Sequence, residues 1–118
     1  VVTITPTGFS PLEVTIAVGG TVTFVNSDRF GHEIWGGLDH NSRDCPEVEE
    51  AGFLTPNQRK DTAVFATAKV CRFHDHTNIG NPAYQGRIIV QNQELTLISR
   101  ERLSALTGLA SSMTTLVC

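Results

Sequence analysis

Long hydrophobic runs are missing from this 118-residue chain. No stretch reaches the roughly eighteen apolar residues that a transmembrane helix needs, so no membrane span is expected. Positive charge is also scarce. Nine Lys and Arg face twelve Asp and Glu, for a formal net charge of -3. With no basic stripe, nucleic acid is excluded as the expected partner. Cys-x-x-Cys pairs are absent, which argues against a zinc ribbon or a thioredoxin-type redox site. H-E-x-x-H, P-loop and nucleophile-elbow motifs are absent too, and with them the chemistries they carry. The chain has one Trp, Trp35, one Tyr, Tyr84, and one Met, Met113.

What is present reads as one globular domain. Hydrophobic residues make up 40% and charged residues 18%, a composition able to bury a core. Residue 1 is Val, which suggests a trimmed chain; a removed signal peptide, and so a periplasmic or secreted protein, is the expectation. Cysteines stand at Cys45, Cys71 and Cys118, an odd count that leaves one unpaired if the other two are bridged.

Hydrophobic periodicity predicts β structure over the first two-thirds of the chain. Residues 1–5 are β-branched and stop at Pro6. Residues 12–18 and 21–26 alternate apolar and polar positions and are separated by Gly19 and Gly20. Asn26-Ser27-Asp28 carries turn chemistry. Residues 30–52 are rich in Gly, Asp, Asn and His, and predict a long loop with a turn of helix near residues 46–50. Further strands are predicted over 60–65, 70–75 and 86–91. About seven short strands with turns between them indicate an all-β, Greek-key β-sandwich or barrel over residues 1–92. Residues 93–118 form a C-terminal extension. Leu103, Leu106, Ala110 and Met113 fall at helical spacing there, so the tail reads either as a docked helix or as a loose extension.

The run 9–28, FSPLEVTIAVGGTVTFVNSD, resembles the opening of plastocyanin-like cupredoxins, and Gly86-Arg87-Ile88-Ile89-Val90 resembles their last strand. The resemblance implies a copper-binding β-sandwich with His32 in the place of the first ligand. Two registers are open for the next ligands. Cys71-Arg72-Phe73-His74 has the family's C-x-x-H spacing and implies a type 1 copper set of His32, Cys71 and His74. No Met follows it, and Tyr84 stands near the axial position. The second register starts from Phe65 and puts Cys71, Phe73 and Asp75 on the inward face, with Asp75 where the copper Cys would be. Patterning favours it, because the first register turns Lys69 and Thr67 inward.

On the second register the resemblance implies a Cys45–Cys71 disulfide, with two buried free thiols as the alternative. Cys71, His74 and His76 further resemble a bacterial cupredoxin-like group with a C-x-F-H-D-H strand. The metal would then be held by imidazole and carboxylate: His32, His74, His76 and Asp75, with His40 an outlier in the loop. Copper is the expected metal, zinc the alternative. Glu33, Asp39 or Asp28 would orient the rings, and Trp35 would pack on the site or elsewhere. The implied function is extracytoplasmic electron transfer or copper handling, with a redox or copper-delivery partner and no catalysis of its own. The rival is a metal-free sandwich used as a binding module. A mononuclear copper enzyme is a third class, for which the sequence names no substrate.

Overall fold

The computed structural model describes residues 1–38 and 45–92. Asp39, His40, Asp44, Met113, Cys118 and the whole of the predicted C-terminal extension lie outside the described residues. Within them the chain is all-β, with three short 3-10 helices, and forms two sheets packed face to face.

The strands are β1 (Val2–Thr5), β2 (Gly8–Ser10), β3 (Glu13–Ala17), β4 (Thr23–Asn26), β5 (His32–Gly36), β6 (Phe53–Leu54), β7 (Arg59–Asp61), β8 (Lys69–Asp75) and β9 (Gln85–Gln91). One sheet has the order β2-β1-β4-β7 and the other β3-β9-β8-β5-β6. The chain therefore changes sheets repeatedly: β3 leaves the first sheet, β4 returns to it, β5 and β6 leave again, and β7 returns before β8 and β9 close the second. The β1–β4 and β3–β9 pairs are parallel and the others antiparallel.

Alternation places the core. Val2 and Ile4 of β1, Phe24 of β4, Ile34 of β5, Cys71 and Phe73 of β8, and Ile88 and Val90 of β9 point inward and are buried. Phe73 lies with its ring 5.2 Å from both Phe9 and Phe24, and so joins the two sheets. Each buried Phe contributes roughly 1.5–3 kcal/mol by leaving water.

Two sequence expectations need correction. The stretch 30–52 is not one long loop, because β5 occupies His32–Gly36; the turn of helix expected near residues 46–50 is there as a 3-10 helix (Pro46–Glu50). The strand expected over 60–65 is shorter, ending at Asp61. Beyond it the backbone turns to other partners: Ala63 N donates to Glu47 O at 3.0 Å, tying the chain to the 3-10 helix.

Gly36 fixes how that helix approaches β5. A Cβ at Gly36 would overlap the backbone carbonyl of Cys45. Only glycine lets the two backbones come this close. Cys45 then faces Cys71 across the core edge, with Cα atoms 5.4 Å apart and the two sulfurs at disulfide bonding distance.

Candidate metal centre

The β5–β8 ladder sets the register of every candidate ligand. Ile34 pairs with Asp75 and Trp35 with His74. Successive side chains on a strand point to opposite faces, so this register divides the candidates into two groups. His32 and Asp75 meet on the inner face. His74 and Trp35 lie together on the outer face, and His76 joins them.

The inner group is a clamp. His32 is 3% exposed, with Nε2 2.8 Å from Asp28 Oδ2 and Nδ1 hydrogen-bonded to Asp75 Oδ2. Both partners are carboxylates, which only accept when ionised, so both ring nitrogens donate and the ring is an imidazolium. Local sequence explains both carboxylates. The Asn26-Ser27-Asp28 turn is tied by Asp28 N donating to Asn26 Oδ1 at 2.9 Å, and Asn26 Nδ2 donates to the carbonyls of Phe30 and Leu54. That turn aims Asp28 at the residue four positions on. Asp75 caps the 3-10 helix His76–Asn78: its Oδ1 accepts from Thr77 N at 2.9 Å, Thr77 Oγ1 at 2.7 Å and Glu33 N at 3.2 Å. Its Oδ2 also accepts from Asn78 Nδ2 at 2.8 Å. Tyr84 stacks on the His32 ring with centroids 5.6 Å apart, and its hydroxyl donates to Thr5 O.

The charges follow this geometry. Burial opposes a charge on His32, but the hydrogen bonds to Asp75 and Asp28 outweigh it and raise the pKa above the ordinary 6.5. The His32 hydrogen bond lowers Asp28 below 3.8; burial pushes Asp75 up, but His32, Thr77 and Asn78 bring it below 3.8. His32 thus adds stability that is complete below about pH 6.5 and is lost as pH rises through its folded value. The two aspartates add stability that is present above about pH 3.9 and is lost as pH falls through their folded values. The melting temperature is expected to peak between these limits. His32→Gln should flatten the alkaline fall in a series of thermal melts; an unchanged alkaline slope would remove His32 as its cause.

The outer group is built differently. His74 is fully buried, and its Nδ1 donates to Gly37 O at 2.8 Å. That bond fixes the tautomer and leaves Nε2 as the lone-pair nitrogen. Among the described residues nothing hydrogen-bonds Nε2, although it is buried. The His76 ring stacks on Trp35 at 4.0 Å and 7°, and the His74 and His76 rings lie 6.3 Å apart. Trp35 Nε1 donates to Glu33 Oε1 at 2.7 Å, so Glu33 orients the indole and not an imidazole ring. The buried Nε2 of His74 is in the state a metal-ligating imidazole adopts, with its other nitrogen held by a carbonyl.

The predicted quartet is therefore placed as two pairs. His32 and Asp75 come together with Asp28, and His74 comes together with His76. Of the type 1 set, His32 and His74 are on opposite faces and the Cys71 sulfur lies against that of Cys45. Thr77 and Asn78 were not singled out in the sequence, yet Asp-x-Thr ahead of a turn is a recognisable capping signal.

No protein-family model matches the chain, and no curated protein sequence does. Solved structures do, and they show the fold: the sandwich is cupredoxin-like. A purple cupredoxin from Nitrosopumilus maritimus matches with a TM-score of 0.60 and 24% identity, over 76% of this chain and 97% of that one. The oxidised form of plastocyanin from Dryopteris crassirhizoma matches at 0.58 and 18%, over 76% and 98%. A mutant of amicyanin in its Cu(I) state matches at 0.57 and 21%, over 76% and 79%. Among the described residues no helix is long and apolar enough to cross a membrane.

Proposed function

We propose that this protein is an extracytoplasmic copper-binding module for electron transfer or copper handling, whose copper sits on an imidazole site at the outer face of β8. The reading rests on the buried, unpartnered Nε2 of His74. A buried acceptor without a partner costs roughly 1–3 kcal/mol, and a metal ion would remove that cost. His76 is the second ligand, and Trp35 covers its ring from solvent. Imidazole nitrogens suit Cu(II), and without a thiolate the centre is type 2 and only faintly coloured. His32 and Asp75 do not ligate in this reading. They lock the end of the sandwich where the family resemblance would put copper. A redox protein or a copper-delivery protein is the expected partner, and no catalytic activity is assigned. The copper-bearing relatives support the metal, and the Cys45–Cys71 pair suits an oxidising compartment.

Cu(II) titration followed by electron paramagnetic resonance is expected to give one copper per chain with nitrogen hyperfine structure. Copper at about 100 times its Kd should raise stability by about 2.7 kcal/mol. His74→Ala should lose the copper and His32→Gln should keep it. Copper retained in His74→Ala at wild-type affinity would overturn the assignment.

One observation favours a second reading, a metal-free binding module. The His32 imidazolium has no lone pair to offer, so the inner site is closed to metal. A melting temperature that moves with neither Cu(II) nor Zn(II) would select this reading.

A further inference from the structure

The three residues Cys45, Glu47 and Cys71 each offer a ligand atom within 4.8 Å of the others. In the oxidised chain the two sulfurs are committed to each other. What holds the three residues is not the bond between them. Cys71 lies inside β8, paired with Ile88 of β9. The Cys45 backbone packs against Gly36, and its carbonyl accepts from Val48 N at 3.3 Å. Glu47 is tied through its own carbonyl to Ala63 N, and its carboxylate forms an ion pair with Lys69 Nζ. Glu47 Oε2 lies 4.0 Å from Cys45 Sγ. Both cysteines are fully buried, and the Glu47 side chain is 17% exposed.

We propose that the reduced chain carries a second metal site, Cys45–Glu47–Cys71, for a thiophilic d10 dication of the Zn(II) or Cd(II) type. The disulfide takes two electrons and two protons from a dithiol reductant, which leaves as its own disulfide. The dication then displaces both thiol protons and binds two thiolates and one carboxylate. Three anionic ligands and one dication leave a net charge of -1, which the Lys69 ammonium neutralises through Glu47. Two sulfurs and a carboxylate fit a four-coordinate ion of this kind, with water in the fourth position. The same cysteines thus lock the fold when oxidised and bind metal when reduced. The site is independent of the copper reading, since it shares no ligand with His74 or His76.

The test uses the full chain with Cys118→Ser, so that only Cys45 and Cys71 supply thiols. Oxidised and reduced samples are titrated with Cd(II) after removal of the reductant, and the sulfur-to-cadmium charge-transfer absorption is followed. The reduced protein is expected to develop the band up to one equivalent and the oxidised protein none. Glu47→Gln should weaken Cd(II) binding by about tenfold or more, while Cys71→Ser should abolish the band. No band in the reduced protein, or equal affinity in Glu47→Gln, overturns the proposal. So does a reduced chain whose circular dichroism shows the β structure lost before Cd(II) is added, because the site depends on the fold to hold its ligands.

Discussion

Asp75→Ala is expected to remove about 3–5 kcal/mol of folding stability, the range for a buried ion pair that loses one partner. The Asp75 side chain is fully enclosed and accepts from His32, from Thr77 twice, from Asn78 and from the Glu33 backbone. Removing it leaves an imidazolium with one carboxylate in place of two and strips the cap from the following 3-10 helix. A domain of this size has about 5–15 kcal/mol in total, so the variant should sit near the edge of folding. Asp75→Asn separates the contributions. It keeps an oxygen for the Thr77 amide but loses the charge on His32, and should fall between wild type and alanine. Urea unfolding measures all three. A loss below about 1 kcal/mol in the alanine variant would show that the clamp is solvated in solution and behaves as a surface pair.

Opening the Cys45–Cys71 bridge is the second large effect. The two residues are 26 apart in sequence, and the chain-entropy model gives about 3.5 kcal/mol for closing a loop of that length. Reduction, or the paired Cys45→Ala and Cys71→Ala changes, should lower the melting temperature by about 14–28 °C, at roughly 4–8 °C per kcal/mol. The domain should remain folded at 25 °C, because the core aromatic cluster of Phe9, Phe24 and Phe73 does not depend on the bridge. Thermal melts of the oxidised and reduced chain, with a thiol count on each, decide the point. Equal melting temperatures would mean that the bond does not form in solution.

The ease of reading each strand follows from what its two faces carry. β3 was legible because Val14 and Ile16, packed against the core, alternate with exposed Glu13 and Thr15, and β4 because Phe24 is buried between half-buried Thr23 and Val25. β8 was legible through Cys71 and Phe73, which point inward with Arg72 exposed between them; Val70, apolar yet exposed, is the exception. β5 was not. Its inward residues are His32, Ile34 and Gly36, and its outward ones include Trp35, so a polar residue faces the core and a large aromatic faces away. Alternation is there, but hydropathy does not reveal it. Only the cross-strand partners Asp75 and His74 make sense of that inversion, and they lie some forty positions along the chain.

By itself the sequence determined the all-β sandwich and the likeness to cupredoxins, favoured the inward register of Cys71, Phe73 and Asp75 that the structure shows, and offered the candidate metal ligands. These depend on local properties: alternation, turn residues and side-chain chemistry. Tertiary structure decided how the candidates group. The β5–β8 register sends His32 and Asp75 to one face and His74 and His76 to the other, and the turn after β4 brings Asp28 to His32. A one-residue change of strand pairing would exchange the faces, and no local pattern specifies pairing between strands so far apart in sequence. That pairing makes His32 a clamped cation and leaves His74 with a free lone pair among the described residues.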